Sequence, residues 1–296
     1  MAKLNREIKS GVFADLFGDD EKDGKKNFLS LYNAIHDTNL SLENSIIEQK
    51  KIPQAITKSF YNDVSMLING KLIVLVEHQS TPNQNMPLRC LEYYVHLLNG
   101  IIPAEARYKE ALYKIPAPEF YVFYNGEKKA ENDCIMNLSD AFLEKQEEPL
   151  CEVKVKWSNI REKEGEILPV IQKCDILKQY CEFMEITFRH KAELQNQPTD
   201  EEMEDCIDIA ISEAISKGIL VDYLTRKGTE VRNMFKGEYD YDMDMKVKTE
   251  EAREQKAIET AKNMLIKNYP TNEVSELTGL PLEKVLELQN DTSMAT

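Results

Sequence analysis

A chain of 296 residues, 42% of them hydrophobic, is long enough to bury a sizeable core in one large or two small domains. Its formal charge of −15 argues against a surface built throughout for phosphate, because nucleic-acid affinity comes from lysine and arginine releasing counterions. Six cysteines (Cys90, Cys134, Cys151, Cys174, Cys181, Cys206) form no CxxC pair and no regular spacing. That speaks against a zinc site or a disulfide framework and for reduced thiols. No run approaches the length of a membrane span, and the opening MAKLNREIKSGVF lacks the apolar stretch of a signal peptide. The expectation is a soluble cytoplasmic protein without a membrane partner.

In chain order, residues 7–17 place Val12, Phe13, Leu16 and Phe17 at helical spacing, and residues 27–35 do the same with Phe28, Leu31, Tyr32 and Ile35. Both read as helices laid on a sheet. Residues 60–68 and 72–80 read as two strands, and Asn69-Gly70 between them is a strong hairpin signal. The second strand, LIVLVEHQS, runs apolar residues straight into Glu77, His78 and Gln79. Alternation gives Glu77 and Gln79 one face and His78 the other, so His78 reads as a packing or structural histidine.

Turn length decides what Asp63 does. A two-residue turn pairs Asp63 with Val76 and separates it from the face of Glu77; a three-residue loop, Ile68 to Gly70, pairs it with Leu75 and brings the two carboxylates together. The three-residue loop or an equivalent bulge is the expectation. Two carboxylates converging at a strand end form an oxygen-rich site that Mg²⁺ or Mn²⁺ favours.

Beyond the hairpin, Asn85 and Pro87 open a helix running to about Leu98, with Arg89 and Tyr93 one turn apart on one face. Arg89 could hold a phosphate bidentately and Tyr93 could donate its hydroxyl to that phosphate or to Glu77. The alternative is an ordinary amphipathic helix whose Leu91, Tyr94 and Leu98 face the core while Arg89 is solvated. EFYVFY (119–124), followed by Asn125-Gly126, and CEVKVKW (151–157) add strands. The chain then turns helical over Ile167 to about Arg189, Glu201–Ser216 and Ile219–Phe235. A charged helix from about Lys248 to Lys267 follows, then a short pair, Thr271–Thr278 and Pro281–Gln289. That pair has the outline of a helix-turn-helix. Its second helix carries more acid than base, which suits packing or oligomerisation better than a major groove.

Asp63, a spacing of fourteen, and Glu77-x-Gln79 resemble the PD-(D/E)XK nuclease signature in its variant with glutamine for lysine. EHQS at 77–80, Pro82, and MPLRCLEYYVHLL at 86–98 together resemble the Rpn family of recombination-promoting nucleases, often described as transposases. The likeness extends over roughly residues 8–245 and includes Phe13, Leu16, Phe17, Cys174, Leu177, Tyr180, Phe183 and the stretch Gly218 to Met234. Ser10 and Ala14 stand where that family carries an acidic and a basic residue, with Asp15 and Glu48 as candidate substitutes. The resemblance implies that Asp63, Glu77 and the His78 carbonyl ligate Mg²⁺ or Mn²⁺. Gln79, which can neither take a proton nor carry charge, would orient water or contact phosphate through hydrogen bonds. Arg89 and Tyr93 would bind substrate.

The fold expected is α/β: a PD-(D/E)XK restriction-endonuclease-like core over residues 1–245, a mixed sheet of four or five strands flanked by helices, with a helical C-terminal extension over 246–296. The function expected is metal-dependent hydrolysis of DNA phosphodiesters, endonucleolytic and tied to recombination, mobile elements or phage defence. Two rivals stand beside it. One is a catalytically inactive nuclease-fold regulator or interaction module, which the acidity and the Ser10 and Ala14 departures suit. The other is a homodimer whose acidic helices cover its partner's DNA face; acid concentrates at 131–152, 162–166, 201–208 and 238–254.

Overall fold

The structure, a computed structural model, describes residues 11–50, 63–78, 82–126, 130, 133–161, 168–194, 198–267 and 269–294. For 63, 76–78, 237–249, 251, 252 and 290–294 it describes the backbone alone. Two compact units result, Met1–Lys236 and Gly237–Thr296.

In the first unit, helices α1 (Val12–Gly18) and α2 (Lys22–His36) precede strands β1 (Ile47–Gln49), β2 (Asp63–Ile68) and β3 (Lys71–His78). Helix α3 (Met86–Ile101) leads to β4 (Ala117–Tyr124), β5 (Asp133–Asn137) and β6 (Lys154–Asn159). Helices α4 (Pro169–Lys173), α5 (Asp175–Ala192) and α6 (Asp200–Ser216) follow, then the part of α7 (Val221–Ile266) up to Lys236. The sheet has six strands in the order β1-β2-β3-β4-β6-β5, two more than the strands read from the sequence. The additions, β1 and β5, are the two edge strands. They are short and only partly buried, so neither carries the apolar alternation that marks a strand in sequence.

The sheet is mixed, antiparallel from β1 to β3, parallel from β3 through β4 to β6, and antiparallel again at β5. Alternation splits its side chains cleanly. Leu72, Val74, Phe120, Val122, Tyr124, Val155 and Trp157 pack one face against Met86, Cys90, Tyr93 and Leu97 of α3. On the other face Phe13 of α1 meets Phe123 at 5.7 Å between ring centroids and Tyr180 of α5 at 5.6 Å. Close approach is needed where α1 crosses β2: a Cβ on Gly18 would stand 2.9 Å from a methyl of Val64.

Three expectations are corrected. The hairpin closes on a two-residue turn, with Asn69 at φ 47° and Gly70 at φ 82°, and pairs Ile68 with Lys71. Positive φ at both central positions is the type I′ turn, whose twist matches the right-handed twist of the flanking strands. Residues 167–189 do not make one helix, because Cys174, extended at φ −123° and ψ 96°, separates α4 from α5. The segments at 219–235 and 248–267 are not separated by a loop: α7 kinks at Lys227, at φ −117° and ψ 19°, and the backbone is helical from there to Ile266.

In the second unit, α8 (Thr271–Thr278) and α9 (Leu282–Met294) fold with the end of α7 around Ala261, Leu265, Val274, Leu280, Val285 and Leu288. Gly279, at φ 73°, ends α8 and donates its N–H to Ser275 O at 2.9 Å. Among the described residues, no helix is long and apolar enough to cross a membrane.

Candidate functional site

The hairpin register sets the geometry. Asp63, the first residue of β2, pairs with Val76 rather than with Leu75. Asp63 therefore holds a register position of the α3 face and Glu77 one of the opposite face, contrary to the shared face expected of them. They remain neighbours, since Glu77 adjoins the residue across from Asp63 and facing Cα atoms in such a pair lie about 5 Å apart. Gln79 and Ser10 lie outside the described residues.

Parallel pairing adds further polar residues at the same end of the sheet. Glu77 pairs with Phe123 and His78 with Tyr124, so β3 and β4 finish together; Tyr124 in turn pairs with Asn159, the last residue of β6. Ligands of sheets with parallel strands gather outside the carboxyl ends of those strands. Here that edge carries Glu77, His78, Asn125 and Asn159, with Asp63 beside them. Tyr124 stacks on Trp157 at 5.1 Å, and Tyr124 O accepts the Ile160 N–H at 2.9 Å, so the edge rests on a packed base. Asn159 Oδ1 accepts the N–H of Arg161 at 3.2 Å.

On α3 the sheet-facing stripe is Met86, Cys90, Tyr93 and Leu97, not Leu91, Tyr94 and Leu98. Tyr93 is thus a buried part of the core, and Arg89, four residues before it, is half-buried rather than solvated. Pro87 sits in the first turn as expected, while Asn85 makes no side-chain cap bond. Tyr94 sends its hydroxyl to Pro116 O at 2.9 Å, and burial pushes its phenol above the usual tyrosine range.

The two candidate substitute acids are placed elsewhere. Glu48 lies across from Leu67, near the turn end of β2, and pairs with Lys50 at 2.6 Å. Both oxygens of Asp15 accept from Lys227 Nζ at 3.0 Å, with Asp19 at 3.4 Å from the same nitrogen. Burial works against the Lys227 charge, yet Asp15 and Asp19 outweigh it and hold the ammonium above the ordinary lysine range. Asp15 is therefore already neutralised.

A second polar cluster, not foreseen from the sequence, sits near the opposite end of β3 and β4. Glu119 accepts from Lys71 Nζ at 2.7 Å and from the Tyr121 hydroxyl at 3.0 Å, and meets His36 Nε2 at 2.5 Å. His36 Nδ1 lies 2.9 Å from Tyr32 O, and its ring stacks on Tyr32. Burial raises the Glu119 carboxyl, but Lys71, His36 and Tyr121 outweigh it and leave it below the usual carboxylate range. Burial, then Glu119, pushes the Tyr121 phenol far up. Every oxygen here has a partner, which marks a structural network. The sequence held a weak signal for it in Glu119, an acid opening an otherwise aromatic strand.

Comparison with protein-family models, with curated proteins and with solved structures finds no match.

Proposed function

We propose that this chain is a metal-dependent DNA endonuclease with a PD-(D/E)XK-type core, akin to the Rpn nucleases its motifs resemble. The observation that carries the reading is that Asp63, at the start of β2, and Glu77, near the end of β3, hold adjacent backbone positions on neighbouring strands at the carboxyl edge of the parallel strands. A mixed sheet flanked by helices is the coarse architecture this reading needs. The donors are all oxygens, the carboxylates of Asp63 and Glu77 and the backbone carbonyl of His78, which is the donor set of a hard cation such as Mg²⁺ or Mn²⁺. A cation held there would polarise the scissile phosphate and lower the pKa of an attacking water. Arg89 would neutralise the phosphate and Gln79 would orient water by hydrogen bonding. Tyr93, buried against the sheet, would fix the helix that carries Arg89.

A second reading, a non-catalytic nuclease-fold protein, is favoured by one observation: the register assigns Asp63 and Glu77 to opposite faces. One experiment separates the two. Supercoiled plasmid is incubated with the protein at low salt in Mg²⁺, Mn²⁺ or Ca²⁺, alongside Asp63→Ala and Glu77→Ala. Nicking that needs the metal and disappears in both variants is the expected outcome. Equal cleavage by all three proteins, or none, would leave the non-catalytic reading standing.

A further inference from the structure

Immediately after β4, Asn125 is 1% exposed, and its Nδ2 has no hydrogen-bond acceptor among the described residues. An amide nitrogen can only donate, and a buried donor without a partner is costly enough to require a reason. Its position supplies one. Phe123 pairs with Glu77, and Asn125 lies two residues further along, so it holds the same parity as Glu77 at the carboxyl edge of the parallel strands. The backbone beneath it is pinned by the Tyr124–Trp157 stack and by the Ile160 N–H on Tyr124 O. A donor held directly after a strand end, on a fixed backbone, is the kind of rigid placement that binding sites favour over mobile loops.

We propose that Asn125 is a substrate-binding residue whose Nδ2 donates to a non-bridging phosphate oxygen delivered to this edge; the proposal rests on reading that edge as a phosphodiester-cleaving site. Phosphate oxygens are acceptors only, which matches a donor-only group. Among the described residues the donor is enclosed and has no acceptor, so a phosphate oxygen that reaches it would complete its hydrogen bonding. The amide nitrogen then gains its bond from substrate rather than from the described residues.

That asymmetry defines the test. Binding of a fluorescein-labelled DNA duplex in Ca²⁺, cleavage of plasmid in Mg²⁺ and thermal melting are measured on the full-length chain and on Asn125→Ala and Asn125→Asp. Asn125→Ala is expected to weaken DNA binding roughly tenfold to a hundredfold, the worth of a hydrogen bond to a charged group, without lowering the melting temperature. Asn125→Asp keeps the shape, sets a carboxylate against the phosphate, and is expected to weaken binding further. Wild-type DNA binding in both variants, with a lowered melting temperature in Asn125→Ala, would assign Asn125 to a buried structural water and overturn the proposal. Cleavage that depends on Asp63 and Glu77 but is unaffected by Asn125→Ala would overturn this inference alone. Absence of DNA binding and cleavage in the wild type would overturn the nuclease reading and this inference with it.

Discussion

The two ends of strands β3 and β4 treat their polar residues in opposite ways. Towards the amino end, Glu119 is saturated by Lys71, His36 and Tyr121, and the cluster is fastened to α2 through His36 and Tyr32. At the carboxyl end, Asn125 buries a donor that the described residues leave unsatisfied, and positions 63 and 77 lie on neighbouring strands but on opposite faces. A satisfied network repays its own burial and contributes to stability. An unsatisfied one is a cost to the fold, which is tolerated where a ligand recovers it. On the function proposed, the contrast separates residues that hold the protein together from residues placed for a partner.

The largest effect should come at the carboxyl end. Asp63→Ala and Glu77→Ala should each reduce metal-dependent DNA cleavage by on the order of a hundredfold or more, with unfolding free energy in urea changed by no more than about 0.5 kcal/mol. Loss of stability in step with loss of cleavage would erase the contrast. Glu119→Ala should show the reverse: about 1.5–3 kcal/mol of stability lost in urea titrations, from stranding Lys71 and His36, and cleavage retained wherever the variant is folded. Reduced cleavage with unchanged stability would move Glu119 into the functional set.

Acid should sharpen the same comparison. Glu119 titrates below its unfolded value, so its contribution is fully present above the usual carboxylate range near pH 4.5 and is lost as pH falls through the lower folded value. The stability gap between wild type and Glu119→Gln should accordingly narrow as pH drops below about 4.5, because a protonated carboxyl resembles an amide. A gap independent of pH would show that charge plays no part in the network. Glu213, whose carboxyl Lys217, Arg189 and His190 hold down to about 2, should follow the same sign, its contribution vanishing between about pH 4.5 and 2 in a Glu213→Gln comparison.

The smallest effect concerns the turn that sets the register. Gly70→Ala places a Cβ at φ 82° and should cost about 1 kcal/mol in urea denaturation while leaving the pairing intact. Open space around Gly70 makes this a backbone cost alone. A loss of several kcal/mol would mean that register, and with it the placing of Asp63, depends on that turn.

Legibility followed the strength of local patterns. The central strands, α2, α3, α6 and α8 were readable because apolar residues recur at the right period. β1 and β5 were not, since three- and five-residue edge strands with exposed positions carry no period to read. The sheet-facing stripe of α3 lies one position before the alternative stripe of Leu91, Tyr94 and Leu98, because Tyr93 and Tyr94 look alike in sequence and only the packing partners Leu72, Val74 and Trp157 choose between them. Asn125 read as a turn residue; its proximity to Glu77 appears only once β3 and β4 are paired in parallel.

By itself the sequence determined the α/β class, the hairpin at Asn69-Gly70, the strand that ends in Glu77 and His78, and the helix that carries Arg89 and Tyr93. Those are local matters, settled by periodicity and by glycine's tolerance of positive φ. Tertiary structure alone decided that Asp63 faces Val76, that Glu77 and Asn125 share an edge, and that Asp15 is neutralised by Lys227 from 212 positions along the chain. Register and long-range pairing are set by whole faces packing against distant helices, and no short stretch of sequence contains both sides of such a contact.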